Sequence, residues 1–141
     1  MRLDERFYCE NGAWEVGKHL IHDTHPHGWL TLAQILQVSS NIGMAKVAQR
    51  LGREGMVRIA QHFGFGERAG LALVGEGRGS VPYPRAELSL ATQSFGQGVS
   101  ATAVQVAAAF GALANGGVLM RPYIVARVTD PDGMVDRKSV V

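Results

Sequence analysis

Apolar residues recur with a helical period through the middle of this chain and with a strand-like pattern nearer its ends. Phe7-Tyr8-Cys9 before Glu10-Asn11-Gly12 predicts a short strand running into a turn, and residues 21–28, with Asp23, Pro26 and Gly28, predict a loop. Thr31-Leu-Ala-Gln34 then has the form of a capping box, in which the hydroxyl accepts from the backbone three residues on and the amide reaches back. It opens a helix from Leu32 to about Val38. Ser39-Ser40-Asn41 interrupts that helix, because short polar side chains compete for backbone groups and favour caps and turns. A second helix starts near Ile42: Met44, Val47, Ala48 and Leu51 share one face, and Gly52 stops it. Met56, Ile59, Ala60 and Phe63 repeat the pattern up to Gly64. Residues 64–85 are irregular, and helical character returns over residues 86–92 until Ser94-Phe-Gly-Gln-Gly98 breaks it. Thr102-Ala-Val-Gln105 is a second capping box, opening a helix that Asn115-Gly116-Gly117 ends. Residues 123–129 read as a strand, Asp130-Pro-Asp-Gly133 as a turn, and Met134-Val135 as a returning strand.

Composition narrows the class. At 141 residues and 46% hydrophobic the chain fits one folded unit. Charged residues are only 18% and glycines number 18, which points to buried helices joined by tight turns and away from a solvated rod. The net charge of +2 comes from scattered residues, with no Lys/Arg run to make a nucleic-acid or membrane-surface patch. The single Cys9 excludes an internal disulfide and a cysteine-built zinc site. Residues 1–20 carry seven charges among Arg2, Asp4, Glu5, Arg6, Glu10, Glu15 and Lys18, so they hold no apolar signal core. The stretch from Leu88 to Met120 has no charge, yet only residues 101–114 are continuously apolar enough to count, and they fall short of the ~20 needed to span a bilayer. Being apolar on every side, the helix after Thr102 is expected at the centre of the core.

Three local patterns invite chemistry. His22, His25 and His27 have an H-x-x-H-x-H spacing, but zinc requires three or four ligands in fixed geometry, and beside Pro26 and Gly28 they read more simply as polar loop residues. No metal or other cofactor is expected. Gly64-Phe-Gly-Glu-Arg-Ala-Gly70 has the glycines of a phosphate loop, but they follow a helix where a dinucleotide site needs them to follow a strand. Ser39-Ser40-Asn41 taken alone is an N-cap for the helix that follows. Its surroundings say more.

The run Val38-Ser-Ser-Asn-Ile-Gly-Met-Ala-Lys46 resembles the second active-site motif, S-x-N, of the penicillin-binding transpeptidases. Gly28-Trp-Leu-Thr before it, Phe63-Gly-Phe-Gly66 after it, Leu73-Val-Gly-Glu76 with Gly79 and Pro82, and Ser94-Phe-Gly-Gln-Gly98 continuing through Ser100, Thr102 and Gln105 to Ala114-Asn-Gly-Gly117 and Pro122 resemble the same family in order. The resemblance is closest to the class B, division-type septal enzymes. It implies an α+β fold, here a mainly helical fragment of the β-lactamase/transpeptidase-like fold with parts of its sheet missing at both ends. That family uses S-x-x-K, S-x-N and a K-T-G-type strand. No Ser here has Lys three residues on, and Lys138-Ser139-Val140 lacks the glycine of the third motif. Residues 1–141 are therefore expected to be a partial transpeptidase domain, with the other motifs before Met1 and after Val141.

The resemblance implies a serine acyltransferase that is acylated by a D-Ala-D-Ala stem peptide of peptidoglycan, cross-links it to a neighbouring stem, and is trapped by β-lactams when intact. Ser39 matches the position whose hydroxyl relays a proton, and Asn41 the one whose amide binds the substrate backbone and helps hold the lysine. Ser40 is the middle position, to which the resemblance assigns no chemistry. Residues 94–98 and the helix after Thr102 are expected to form the apolar support of the site. The parent protein is expected in the bacterial inner membrane, its catalytic domain facing the periplasm, paired with a polytopic membrane glycosyltransferase and other divisome proteins, with no nucleic acid bound. This chain alone, lacking nucleophile and lysine, is expected to be inactive. The competing reading is a catalytically dead module that kept the fold as an interaction surface.

Overall fold

A computed structural model describes residues 1–71 and 74–135. Leu73 of the Leu73–Glu76 run and Lys138-Ser139-Val140 lie outside the described residues. The chain opens with β1 (Arg6–Tyr8), a tight turn over Glu10–Gly12, β2 (Ala13–Val16), β3 (His19–His22) and β4 (Trp29–Thr31). Helices α1 (Leu32–Val38), α2 (Asn41–Leu51), α3 (Arg53–His62), α4 (Glu87–Gln93) and α5 (Ala103–Ala114) follow. The strands form two small antiparallel sheets. In one, Phe7 faces Leu30 and Tyr8 faces Trp29; in the other, Trp14 faces Ile21 and Val16 faces His19.

Both capping boxes form as their sequences dictate: Thr31 accepts from Gln34 N and Thr102 from Gln105 N, each answered by the glutamine side chain. The hairpin β2–β3 was not expected, and its second strand takes Ile21 and His22 out of the predicted loop. Its signal is Gly17, whose φ of +65° suits the first position of a two-residue turn, between flanks that each bury one residue, Val16 and Ile21. Strand 123–129 is corrected too. The turn at Asp130–Gly133 forms, with Asp130 N donating to Met134 O at 2.9 Å, but pairing is limited to one bridge, Thr129 to Val135. The described residues offer residues 123–128 no neighbouring strand, and these exposed residues leave their backbone groups to solvent instead of to a ladder.

The core gathers Cys9, Val16, Ile21, Ile35, Ile42, Ala45 and Ala91, so it sits where the β-hairpins, α1, α2 and α4 meet. Helix α5 is therefore not its centre. Gln105, Ala109 and Ala112 are buried, whereas Phe110 and Leu113 are 68% and 66% exposed. Only one face of α5 meets partners among the described residues. Gln105 makes the main attachment: its Oε1 accepts from Thr102 N at 2.8 Å, and its Nε2 donates to Glu67 O at 2.6 Å and Arg78 O at 2.9 Å, tying the irregular residues 64–80 to the helix.

Candidate functional site

The elbow between α1 and α2 is built by three consecutive residues with different tasks. Ser39 ends α1 in the left-handed conformation, φ 55° and ψ 47°, with its side chain exposed and its hydroxyl unbonded among the described residues. A non-glycine residue held there costs on the order of 1–3 kcal/mol and persists where the surroundings over-determine it. Ser40 turns inward, 2% exposed. Its Oγ accepts from Gly43 N at 2.9 Å and donates to Asp23 Oδ2 at 2.5 Å, while Asp23 Oδ1 accepts from Ile42 N at 2.9 Å. Asn41 is half-buried, and its Nδ2 donates to His22 O at 3.0 Å.

The capping role that the tripeptide suggests thus belongs to Ser40, with Asp23 as a second acceptor, and leaves Ser39 without one. The sequence places the cap in the tripeptide without choosing Ser40, and it does not point to Asp23 as part of it. Ser40 had a legible signal, a serine directly before an apolar-periodic helix. Asp23 had none, because its partners lie 17 and 19 residues away. The elbow is also closed sterically: a Cβ on Gly43 would lie 2.6 Å from Ile35 Cγ1, so the two helices approach as closely as a glycine allows.

Two cavities flank Asn41. One, of about 300 Å³, is lined by His19, His22, Asn41, Thr92, Phe95 and Gln97. The other, of about 270 Å³, is lined by Ile35, Ser39, Ser40, Asn41, Ser94 and Phe95. Phe95 and Asn41 belong to both, which puts the Ser94–Gly98 break beside the S-x-N elbow, while Phe95 also packs against the core as expected of a supporting residue.

Few groups here are free to activate a nucleophile. Lys46 Nζ lies 2.8 Å from Glu10 Oε1 and 4.1 Å from the Trp14 ring centroid, so its charge is committed to the hairpin layer. The Cys9 thiol is fully buried, and that burial pushes its pKa up; a thiol kept neutral is a poor nucleophile. His22 sits in β3, and among the described residues no group of three His, Cys, Asp or Glu side chains converges as a metal site. No helix among them is long and apolar enough to cross a membrane. The elbow therefore offers one exposed hydroxyl and one oriented amide: groups that relay and bind, and need a base from elsewhere.

Residues 1–141 match the family model described as the penicillin-binding protein transpeptidase domain. Stage V sporulation protein D of Bacillus subtilis is 41% identical over 116 residues, covering 81% of this chain and 18% of the Bacillus protein. Peptidoglycan D,D-transpeptidase FtsI of Escherichia coli is 32% identical over 120 residues, covering 84% of this chain and 20% of that protein. The crystal structure of penicillin-binding protein 3 from Mycobacterium tuberculosis, complexed with aztreonam, superposes with a TM-score of 0.84 at 32% identity, over 94% of this chain and 30% of that one. The five helices and small sheets are thus part of that α+β fold, and the chain spans about a fifth of the length of the curated relatives it matches.

Proposed function

This chain belongs to the penicillin-binding protein transpeptidase family, and we propose that it is the central segment of a serine D,D-transpeptidase that cross-links peptidoglycan stem peptides in septal wall synthesis. The S-x-x-K serine, supplied outside residues 1–141, attacks the carbonyl of the penultimate D-Ala. The terminal D-Ala leaves as an amine that must gain a proton, and an amino group of a neighbouring stem then takes the acyl group. Ser39 relays the proton, since a hydroxyl both accepts and donates and this one is committed to no described partner. Asn41 binds the substrate amide: one of its N–H groups is held by His22 O, which fixes the amide plane and leaves the other N–H and Oδ1 for substrate and for the catalytic lysine.

The observation that carries this reading is the division of labour at the elbow. The N-cap of α2 is complete in Ser40 and Asp23, and Ser39 ends α1 through its backbone N–H alone, so its exposed hydroxyl has no structural task among the described residues. The parent protein sits in the inner membrane with this domain in the periplasm, alongside a polytopic glycosyltransferase and other divisome proteins, and β-lactams acylate it by imitating D-Ala-D-Ala. To test the reading, residues 1–135 replace their counterpart in the Mycobacterium tuberculosis penicillin-binding protein 3, and the chimaera is incubated with a fluorescent penicillin. A covalent band on the chimaera, with none on the 141-residue chain alone, is expected. A folded chimaera that takes no label would overturn the proposal in favour of a module that binds without catalysing.

A further inference from the structure

We propose that Asp23 is a positioning residue for this chemistry, a carboxylate that sets the conformation of the Ser39–Asn41 elbow from outside the motif; the inference rests on the reading of Ser39 and Asn41 given above. Its two oxygens bond to Ser40 Oγ at 2.5 Å and Ile42 N at 2.9 Å, the two residues on either side of Asn41. The preceding residue completes the grip, because His22 O accepts from Asn41 Nδ2 at 3.0 Å. Three hydrogen bonds thus run from two consecutive residues at the end of β3 to three consecutive residues at the start of α2.

A grip transmits position only if it is itself fixed. Asp23 N donates to Gly12 O at 3.1 Å, and Gly12 N to Cys9 O at 3.0 Å, so the loop is tied to the turn after β1. That turn is packed closely enough that a Cβ on Gly12 would meet Pro26 Cα at 2.9 Å. The charge of Asp23 also lies where a carboxylate favours a helix, at the N-terminus of α2. Left to itself, Ser39 would relax from its left-handed conformation. With Ser40 anchored to Asp23 on one side and to Ile35 O through its own N–H on the other, the backbone has no room to do so.

The acylation rate constant at saturating β-lactam, counted per folded molecule of the chimaera, is the readout. Asp23→Ala is expected to lower it by on the order of 10–100-fold, the scale on which small misplacements of reacting groups act. Asp23→Asn keeps the shape and one acceptor and is expected to fall in between. Lys46→Met is the control, because it cuts another tie between α2 and the hairpin layer, the contacts with Glu10 and Trp14, without touching the elbow. It is expected to lower the melting temperature while leaving the rate constant within about twofold, since it displaces no reacting group. Should Asp23→Ala fail to fold, Asp23→Asn carries the test. A normal rate constant in the folded Asp23 variants, with Ser39→Ala slow, would make Asp23 a structural cap and overturn the inference alone. A normal rate constant in Ser39→Ala as well would overturn the reading of the site beneath it.

Discussion

Replacing Gly43 by alanine tests whether the elbow is closed by close packing. The added methyl carbon would lie 2.6, 2.8 and 2.9 Å from Cγ1, Cγ2 and Cδ1 of Ile35, where carbon–carbon contacts are favourable only from about 3.5 Å. Ile35 is 0% exposed and belongs to the core cluster. Alanine gains up to ~1 kcal/mol over glycine in a helix, while overpacking a filled core costs ~1–3 kcal/mol. The expected outcome is a net loss of about 1–2 kcal/mol, read from urea midpoints of the chimaera. Ile35→Ala alone should cost ~2–5 kcal/mol through the cavity it leaves. In the double variant the new methyl partly fills that cavity and the clash is gone, so the sum should be less than additive by at least ~1 kcal/mol. A neutral or stabilising Gly43→Ala, with an additive double variant, would refute the close-contact account of the elbow.

Three further outcomes follow from other parts of the molecule. Ser40→Ala removes the N-cap of α2 and a partner of Asp23, and should cost ~1–3 kcal/mol of stability; a change in urea midpoint equivalent to less than ~0.5 kcal/mol would contradict the assigned cap. The Cys9 pKa is raised by burial above its ordinary 9.0, so the thiol's contribution to stability is whole below that pH and is lost as pH rises toward the folded pKa, because the unfolded chain ionises first. Denaturation midpoints should therefore fall more steeply above pH 9 in the wild type than in Cys9→Ala, and parallel curves would refute the buried, raised thiol. The 141-residue chain alone exposes Phe110, Leu113, Met120, Tyr123 and Ile124 by 63–74% each, so it should bind an apolar dye and show no cooperative melting above about 60 °C. A sharp transition above that temperature without dye binding would mean those faces are covered some other way.

Local signals were legible in the sequence and long-range ones were not. The helices α1 and α5 were readable to the residue, because Thr31–Gln34 and Thr102–Gln105 each carry their own capping partners within four positions. Helix α2 was readable to within one residue from its apolar face and Gly52. Residues 123–129 had strand composition, but a strand exists only by pairing, and composition does not supply the partner. The place of α5 was misjudged for a related reason: an all-round apolar helix states that it wants cover, and only packing decides which face receives it. At the proposed site, Ser39 and Asn41 were singled out through their resemblance to a motif, whereas Asp23 and the carbonyl of His22 depend on contacts across the β3–α2 junction that no short window contains.

The central claim, that Ser39 moves a proton and Ser40 holds the helix, is tested most directly by measuring the second-order acylation rate and the melting temperature of Ser39→Ala in the chimaera. Losing a positioned proton-transfer group typically slows a reaction by ~10²–10⁴-fold, and an exposed side chain without described partners contributes little to stability. The expected result is acylation slowed within that range at an unchanged melting temperature, with Asn41→Ala also slowed through its lost substrate hydrogen bond. Near-normal acylation by both Ser39→Ala and Asn41→Ala would contradict the account and reduce these residues to parts of a helix junction.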